Sequence, residues 1–346
     1  MTTRYGWRRQ LPDFRDFKYS ASLRTLMTLP PLVDLRRFMP RVYDQTSLGS
    51  CTANGIGGGH QYGQIKQLLP STGAADAVAI ETAISQSFVP SRLFIYYNER
   101  VMEGSVNEDA GAIIRDGMKS VANEGVCDER IWPYDVNKFK NKPTDECYKE
   151  ALEHQVISYH AVNQTLDQLK GCLAEGYPFV FGFSVYESFE SPAVAKTGIM
   201  VMPGRDESLL GGHAVIAVGY DDSKRWFIIR NSWGEGWGDK GYFYMPYDYI
   251  TNRGLADDFW TIRLVEDEDG PTPEPPEPPK PEPPEPTPPT PQPCDCSLAF
   301  PMAKQFLDAA VAEINRGVST EVAIAEGLKA AQLYVGRVQQ VRDRSR

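Results

Sequence analysis

Residues 44–54 read DQTSLGSCTAN and set Cys51 where a polar loop gives way to helical spacing. Cysteine is by default a small hydrophobe and among the most buried residue types. Two readings are therefore open here. The thiol is packed away, or it is held at a helix N-terminus, where unpaired amides and the helix dipole favour the thiolate. Beyond it Ile56, Tyr62, Ile65 and Leu68 recur at helical spacing and predict a helix over 51–69. Gly57, Gly58 and Gly59 fall in its middle. Each costs a helix about 1 kcal/mol against alanine, so the triplet is expected only where something packs very close.

A nucleophilic thiol needs a base, and the base needs a group that fixes its tautomer. The histidines are 60, 154, 160 and 213. His60 lies inside the Cys51 helix, and His154 and His160 sit in ordinary polar surroundings. His213 opens a strand-like run, LLGGHAVIAVGYD, with Gly211 and Gly212 leaving room for a substrate backbone. A strand over 226–230 would bring Asn231, in IIRNSWGEGWGDKGY, beside the His213 strand, with Trp233 placed to cover the bond between them. Gln45, six residues before the cysteine, offers a carboxamide donor for an oxyanion. No one of these decides the chemistry; the four together point to nucleophilic catalysis.

The rest of the composition narrows the class. The chain has 346 residues, 41% hydrophobic and 24% charged, with a formal charge of -10, which argues against a nucleic-acid or anionic-membrane surface. No apolar run approaches the ~20 residues that cross a bilayer. The N-terminal MTTRYGWRRQLPDFRDF has no apolar stretch behind its arginines, so cytoplasmic residence is the expectation, with export by a signal-less route as the alternative. Six irregularly spaced cysteines make no disulfide scaffold, and Cys294 and Cys296 lack the further ligands of a zinc site. No metal or cofactor is expected.

Three parts separate along the chain. Residues 1–30 form an N-terminal extension in which Tyr5, Trp7, Phe14, Phe17 and Tyr19 suit either a tail packed on the body or a plug lying in a cleft. Residues 31–265 carry dense hydrophobic periodicity. Helices are expected at 91–97 and 110–122, then strands at 179–185, 213–220 and 226–230, giving an α+β body of two lobes with a boundary near 145–160. An acidic, proline-rich linker follows at 266–293, with 14 prolines in residues 271–293, and suits an extended spacer. Residues 294–346 read as a helical hairpin that docks on the main domain or on a partner.

On these residues the chain resembles the papain-like cysteine peptidases, most closely their prokaryotic branch, over residues 31–265. The match rests on Gln45 with Gly49-Ser50-Cys51, His213, Asn231-Ser232-Trp233-Gly234, Val33-Asp34-Leu35-Arg36, and Gly125-Val126 with Trp132-Pro133-Tyr134. The resemblance implies a helical lobe bearing the nucleophile and a β-barrel-like lobe bearing the histidine. It implies Cys51 as nucleophile, His213 as base, Asn231 as its orienter, Gln45 in the oxyanion hole and Trp233 as shield. By the same likeness Gly111, Ala112, Val185, Gly211, Gly212 and Ala214 line the substrate cleft, with Asp257 or Asp258 at the far end of its main pocket. Leu48 stands where many members have a cysteine, and residues 104–111 lack its partner, so that staple is missing as a pair. Thr52 and Asn54 replace the usual tryptophan and phenylalanine. Cys127 and Cys147 could pair with each other. The function implied is a monomeric, thiol-dependent endopeptidase acting on peptides or proteins. The alternatives are acyl transfer by the same thiolate and a catalytically silent binding protein.

Overall fold

The nucleophile segment folds as its spacing predicts. In the computed structural model, which describes residues 5–70 and 75–266, helix formation starts at Cys51 itself. In chain order the elements are β1 (Lys18–Tyr19), α1 (Leu23–Met27), β2 (Leu32–Asp34), α2 (Cys51–Leu68), α3 (Ala77–Gln86), α4 (Arg92–Met102), α5 (Ile114–Asn123) and α6 (Asp145–Ala151). Then come β3 (Val156–Val162), α7 (Leu166–Ala174), β4 (Phe179–Tyr186), α8 (Pro192–Thr197), β5 (Leu209–Asp221), β6 (Trp226–Arg230), β7 (Tyr242–Pro246), α9 (Tyr247–Ile250) and β8 (Ala256–Val265). Long helices precede long strands, an α+β arrangement. The linker at 266–293, past its first residue, and the hairpin at 294–346, with Cys294 and Cys296, lie outside the described residues.

Helix α2 is buried on nearly every side from Cys51 to Tyr62. Its glycines answer to that crowding. A β-carbon on Gly58 would sit 2.7 Å from Nη1 of the fully buried Arg230, and one on Gly55 would sit 3.0 Å from Val180. The helix packs on β5 and β8 on one side and on α4 and α5 on the other. It is the axle between helical and sheet portions, and its first residue emerges where they meet.

The eight strands form one sheet in the order β1-β3-β8-β4-β5-β6-β7, with β2 added on β5. All pairings are antiparallel except β1 with β3. The sheet stays open, so the barrel-like lobe expected from the resemblance is not closed: β1 and β7 end the path without meeting. Alternate residues of β4 supply its core, where Phe179, Phe181 and Phe183 are fully buried and Phe181 stacks on Phe259 at 5.2 Å.

One expectation needs correction. The helix expected at 110–122 starts only at Ile114, because Ala112 is drawn into an extended pairing with residues 6–8. The N-terminal stretch divides in how it packs. Lys18 and Tyr19 pair with Ala161 and Val162, while Phe14 and Phe17 are exposed.

Candidate active site

Cys51 occupies the first position of α2, after Ser50. The backbone amides of Ala214, Gly6 and Thr52 lie near its sulfur and favour its anion. Ala214 follows His213 on β5, where Phe183 of β4 pairs with His213 and Gly182 with Ala214. The start of α2 and the middle of β5 thus meet at the thiol.

His213 Nε2 lies 2.8 Å from Asn231 Oδ1. An amide oxygen only accepts, so Nε2 carries the proton and Nδ1 is the basic nitrogen. That Nδ1 is buried and makes no hydrogen bond among the described residues. Asn231 Oδ1 is fixed in turn by the Ser232 amide at 2.8 Å, and the Trp233 indole stacks on the imidazole at 5.0 Å. Gln45 ties the two loops together: Oε1 accepts from Ser232 Oγ at 2.6 Å, and Nε2 donates to the Leu48 carbonyl at 2.9 Å. All four residues that the sequence singled out stand together, wholly buried.

What buries the thiol is chain laid across it rather than core. The Trp7 amide donates to the Gly212 carbonyl at 2.9 Å, the Arg8 amide to the Ala112 carbonyl at 3.0 Å, and the Ala112 amide to the Gly6 carbonyl at 2.7 Å. Tyr5 lies edge-on to His213 and near Trp233. The Trp7 ring fills the pocket over Gly182 and Gly212, where a β-carbon at Gly182 would overlap it, and its Nε1 donates to Asp258 Oδ2 at 2.8 Å. Of the expected cleft residues, Gly111, Ala112, Gly211 and Gly212 touch this segment, Ala214 touches the sulfur, and Val185 is buried in the sheet opposite Gly211. Asp258 points into the pocket, whereas Asp257 stays at the rim beside Arg9.

Desolvation decides the ionisation of this covered site. Burial pushes the Cys51 thiol up to about 11 and His213 down to about 4. The helix N-terminus favours a thiolate, yet loss of water outweighs it while the segment is in place, and the neutral thiol and neutral imidazole are the favoured forms.

A profile for the papain family cysteine proteases matches residues 75–261. An uncharacterized peptidase C1-like protein of Acanthamoeba polyphaga mimivirus is 42% identical over 287 residues, covering 76% of this chain and 88% of that one. The chain belongs to the papain family of cysteine proteases. Among solved structures it is similar to xylellain, a cysteine protease from Xylella fastidiosa, with 44% identity, a TM-score of 0.66 and coverage of 75% of this chain and 96% of that one. Chymopapain from Carica papaya is 31% identical over 154 residues, 40% of this chain and 38% of its own length.

Within this papain-family peptidase, several residues at the site escaped sequence reasoning. Thr52 Oγ1 donates to Glu99 Oε2 at 2.8 Å behind the nucleophile, and burial holds the Glu99 carboxyl well above its usual range. Tyr134 OH donates to the Gln45 carbonyl at 2.9 Å. Gly182 had a visible signal, a glycine inside an aromatic strand, which marks a close approach. His60 and His154 lie against Phe88, away from the thiol. Cys127, Cys147 and Cys172 are buried free thiols, so Cys127 and Cys147 are not joined here. Among the described residues no cluster of His, Cys, Asp or Glu could hold a metal ion.

Proposed function

We propose that this peptidase cleaves internal peptide bonds through an acyl-enzyme on Cys51, and that residues 5–10 hold the site closed until they are displaced. The observation that carries the reading is the 2.8 Å contact of His213 Nε2 with Asn231 Oδ1, which leaves Nδ1 as base at the sheet position next to the residue whose amide meets the sulfur.

With the segment gone, water restores the ionic forms and Nδ1 takes the thiol proton. The sulfur attacks the substrate carbonyl, forming the C–S bond, and negative charge moves to the carbonyl oxygen. The Gln45 carboxamide and the Cys51 amide hydrogen-bond to that oxygen. Collapse of the intermediate breaks the C–N bond as imidazolium returns its proton to the departing amine. A water then gives its proton to His213, attacks the thioester and frees the acid product together with the thiol.

An epoxide-type thiol inhibitor followed by mass spectrometry tests the assignment: one adduct is expected, on Cys51, with loss of turnover. Peptidase activity that survives Cys51→Ala would overturn it. Products formed with an added amine, in place of the free acid, would move the reading from hydrolysis to acyl transfer.

A further inference from the structure

Many papain-family members join the stretch before the nucleophile to the segment at 104–111 by a disulfide, which this chain lacks on both sides, with Leu48 in place of one cysteine. The structure joins the same two stretches without sulfur. Next to Leu48, the Gly49 amide donates to both carboxylate oxygens of Asp109, at 3.0 and 3.2 Å. Asp109 Oδ1 also accepts from Tyr96 OH at 2.6 Å, and that hydroxyl accepts from the Gly111 amide at 3.1 Å. Hydrogen bonds thus run without a break from Gly49 through Asp109 and Tyr96 to Gly111.

Both ends of this bridge reach the chemistry. Gly49 lies two residues before Cys51, and the adjoining Leu48 carbonyl accepts from Gln45 Nε2 at 2.9 Å. Gly111 precedes Ala112, whose amide and carbonyl pair with Gly6 and Arg8 of the covering segment, contacts that any extended peptide can copy. The middle of the bridge is firmly held. Tyr96 is fully buried on α4. From the same helix the buried Arg100 donates through Nη1 to the Val106 carbonyl at 2.8 Å and the Glu108 carbonyl at 3.1 Å, which fixes the loop that presents Asp109. A β-carbon on Gly49 would come within 3.0 Å of Asp109 Oδ1, so the fit at that end is close.

We propose that Asp109 is a positioning residue for the reaction: with Tyr96 it sets the gap between the nucleophile loop and the extended stretch that holds the substrate backbone. This rests on the reading of the cleft as a peptidase site. Main-chain bonds to Ala112 hold a peptide wherever that stretch stands. Attack succeeds only when the scissile carbonyl lies about 3–3.5 Å from the sulfur, and a displacement of ~1 Å costs up to about 10²-fold. Loss of the bridge should therefore lower kcat and spare KM. A carboxylate suits the place because it accepts from an amide and a hydroxyl at once, and its charge shortens and strengthens both bonds.

The test uses the full chain carrying Gly6→Ala, with kcat counted per active site titrated by an epoxide-type thiol inhibitor. Asp109→Ala should lower kcat at least about tenfold and move KM less than about threefold. Asp109→Asn keeps a carbonyl oxygen for the Gly49 amide and the Tyr96 hydroxyl, and should recover kcat to within about threefold of the parent. Adding Tyr96→Phe to Asp109→Ala should cost less than about threefold more, because both break one bridge. A merely structural role would reduce the number of titratable sites and leave kcat per site unchanged. That result, a loss confined to KM, or losses that multiply would overturn the proposal. Hydrogen exchange in the full chain without Gly6→Ala reads the bridge independently of turnover. Asp109→Ala should quicken exchange at the Gly49 and Gly111 amides at least about tenfold, and a change at Gly49 alone would also overturn the proposal. Failure of the peptidase reading would show separately, as absence of Cys51-dependent hydrolysis in the Gly6→Ala parent, with the exchange result unaffected.

Discussion

Gly6 crosses Gly49 so closely that a β-carbon at Gly6 would overlap the Gly49 carbonyl. The contact lies two residues from the nucleophile, and only a residue without a side chain fits it. Gly6→Ala in the full chain should therefore lift the segment. Alkylation of Cys51 by iodoacetamide is expected to accelerate at least about tenfold, with initial peptidase rates rising in parallel. Unchanged alkylation would mean that residues 5–10 do not guard the thiol.

The bond from His213 to Asn231 separates two kinds of loss. Cys51→Ala removes the nucleophile, and turnover should vanish. Asn231→Ala leaves thiol and imidazole present but frees the ring to take the wrong tautomer or turn. Its kcat should fall by no more than the ~10²–10⁴ that general base catalysis supplies, with KM little changed. Steady-state kinetics on one fluorogenic peptide measures both.

Glu99 gives a stability test with a definite sign. Burial raises its carboxyl well above 4.5, so the protonated form is favoured in the fold. A raised acid stabilises fully below its unfolded value, and that contribution is lost as pH climbs through the folded value. Denaturant midpoints of the native chain should thus drop as pH rises from 4.5, and the drop should be smaller in Glu99→Gln, which keeps an acceptor for Thr52. Glu99→Ala, leaving a void and an orphaned hydroxyl, should cost about 2–4 kcal/mol.

His213 and Asp258 make opposite demands on the closed state. His213, lowered from 6.5 to about 4, favours closure above 6.5 and loses that contribution as pH falls toward 4. Asp258, raised from 3.8 to about 7 by burial, favours closure below 3.8 and loses it as pH rises toward 7. Over the shared window the two slopes oppose each other in the native chain. In Asp258→Asn that opposition is removed, and the closed fraction should then fall more steeply than in the native chain as pH drops from 6.5 to 4. A fluorine label on Trp7, followed by NMR, reports that fraction. The same pH response in variant and native chain would refute the opposition.

Much of the site was legible because its parts carry local signatures. Cys51 sits at a loop-to-helix change, His213 at the head of an apolar strand, and Asn231 just past a strand of five residues. The first two contacts that matter, thiol to β5 and imidazole to Asn231, follow from pairing those elements. The aromatic N-terminal stretch was ambiguous because its partners are distant: Trp7 meets Asp258, 251 residues later. Nothing local tells Trp7, which fills a pocket, from Phe14, which is 97% exposed. Glu99 lies past the helix expected at 91–97, on a helix that runs on to Met102, and its role depends on Thr52 from elsewhere in the chain.

The parallel pairing of β1 with β3 limits what a cut in the N-terminal segment can release. Lys18 and Tyr19 are stitched to Ala161 and Val162, and Arg115 grips Asp16 at 2.6 Å, so a cut anywhere before residue 16 frees only a short peptide and leaves the remainder as a permanent rib of the enzyme. Were the chain cut, the N-terminal sequence of the folded product should begin ahead of Asp16.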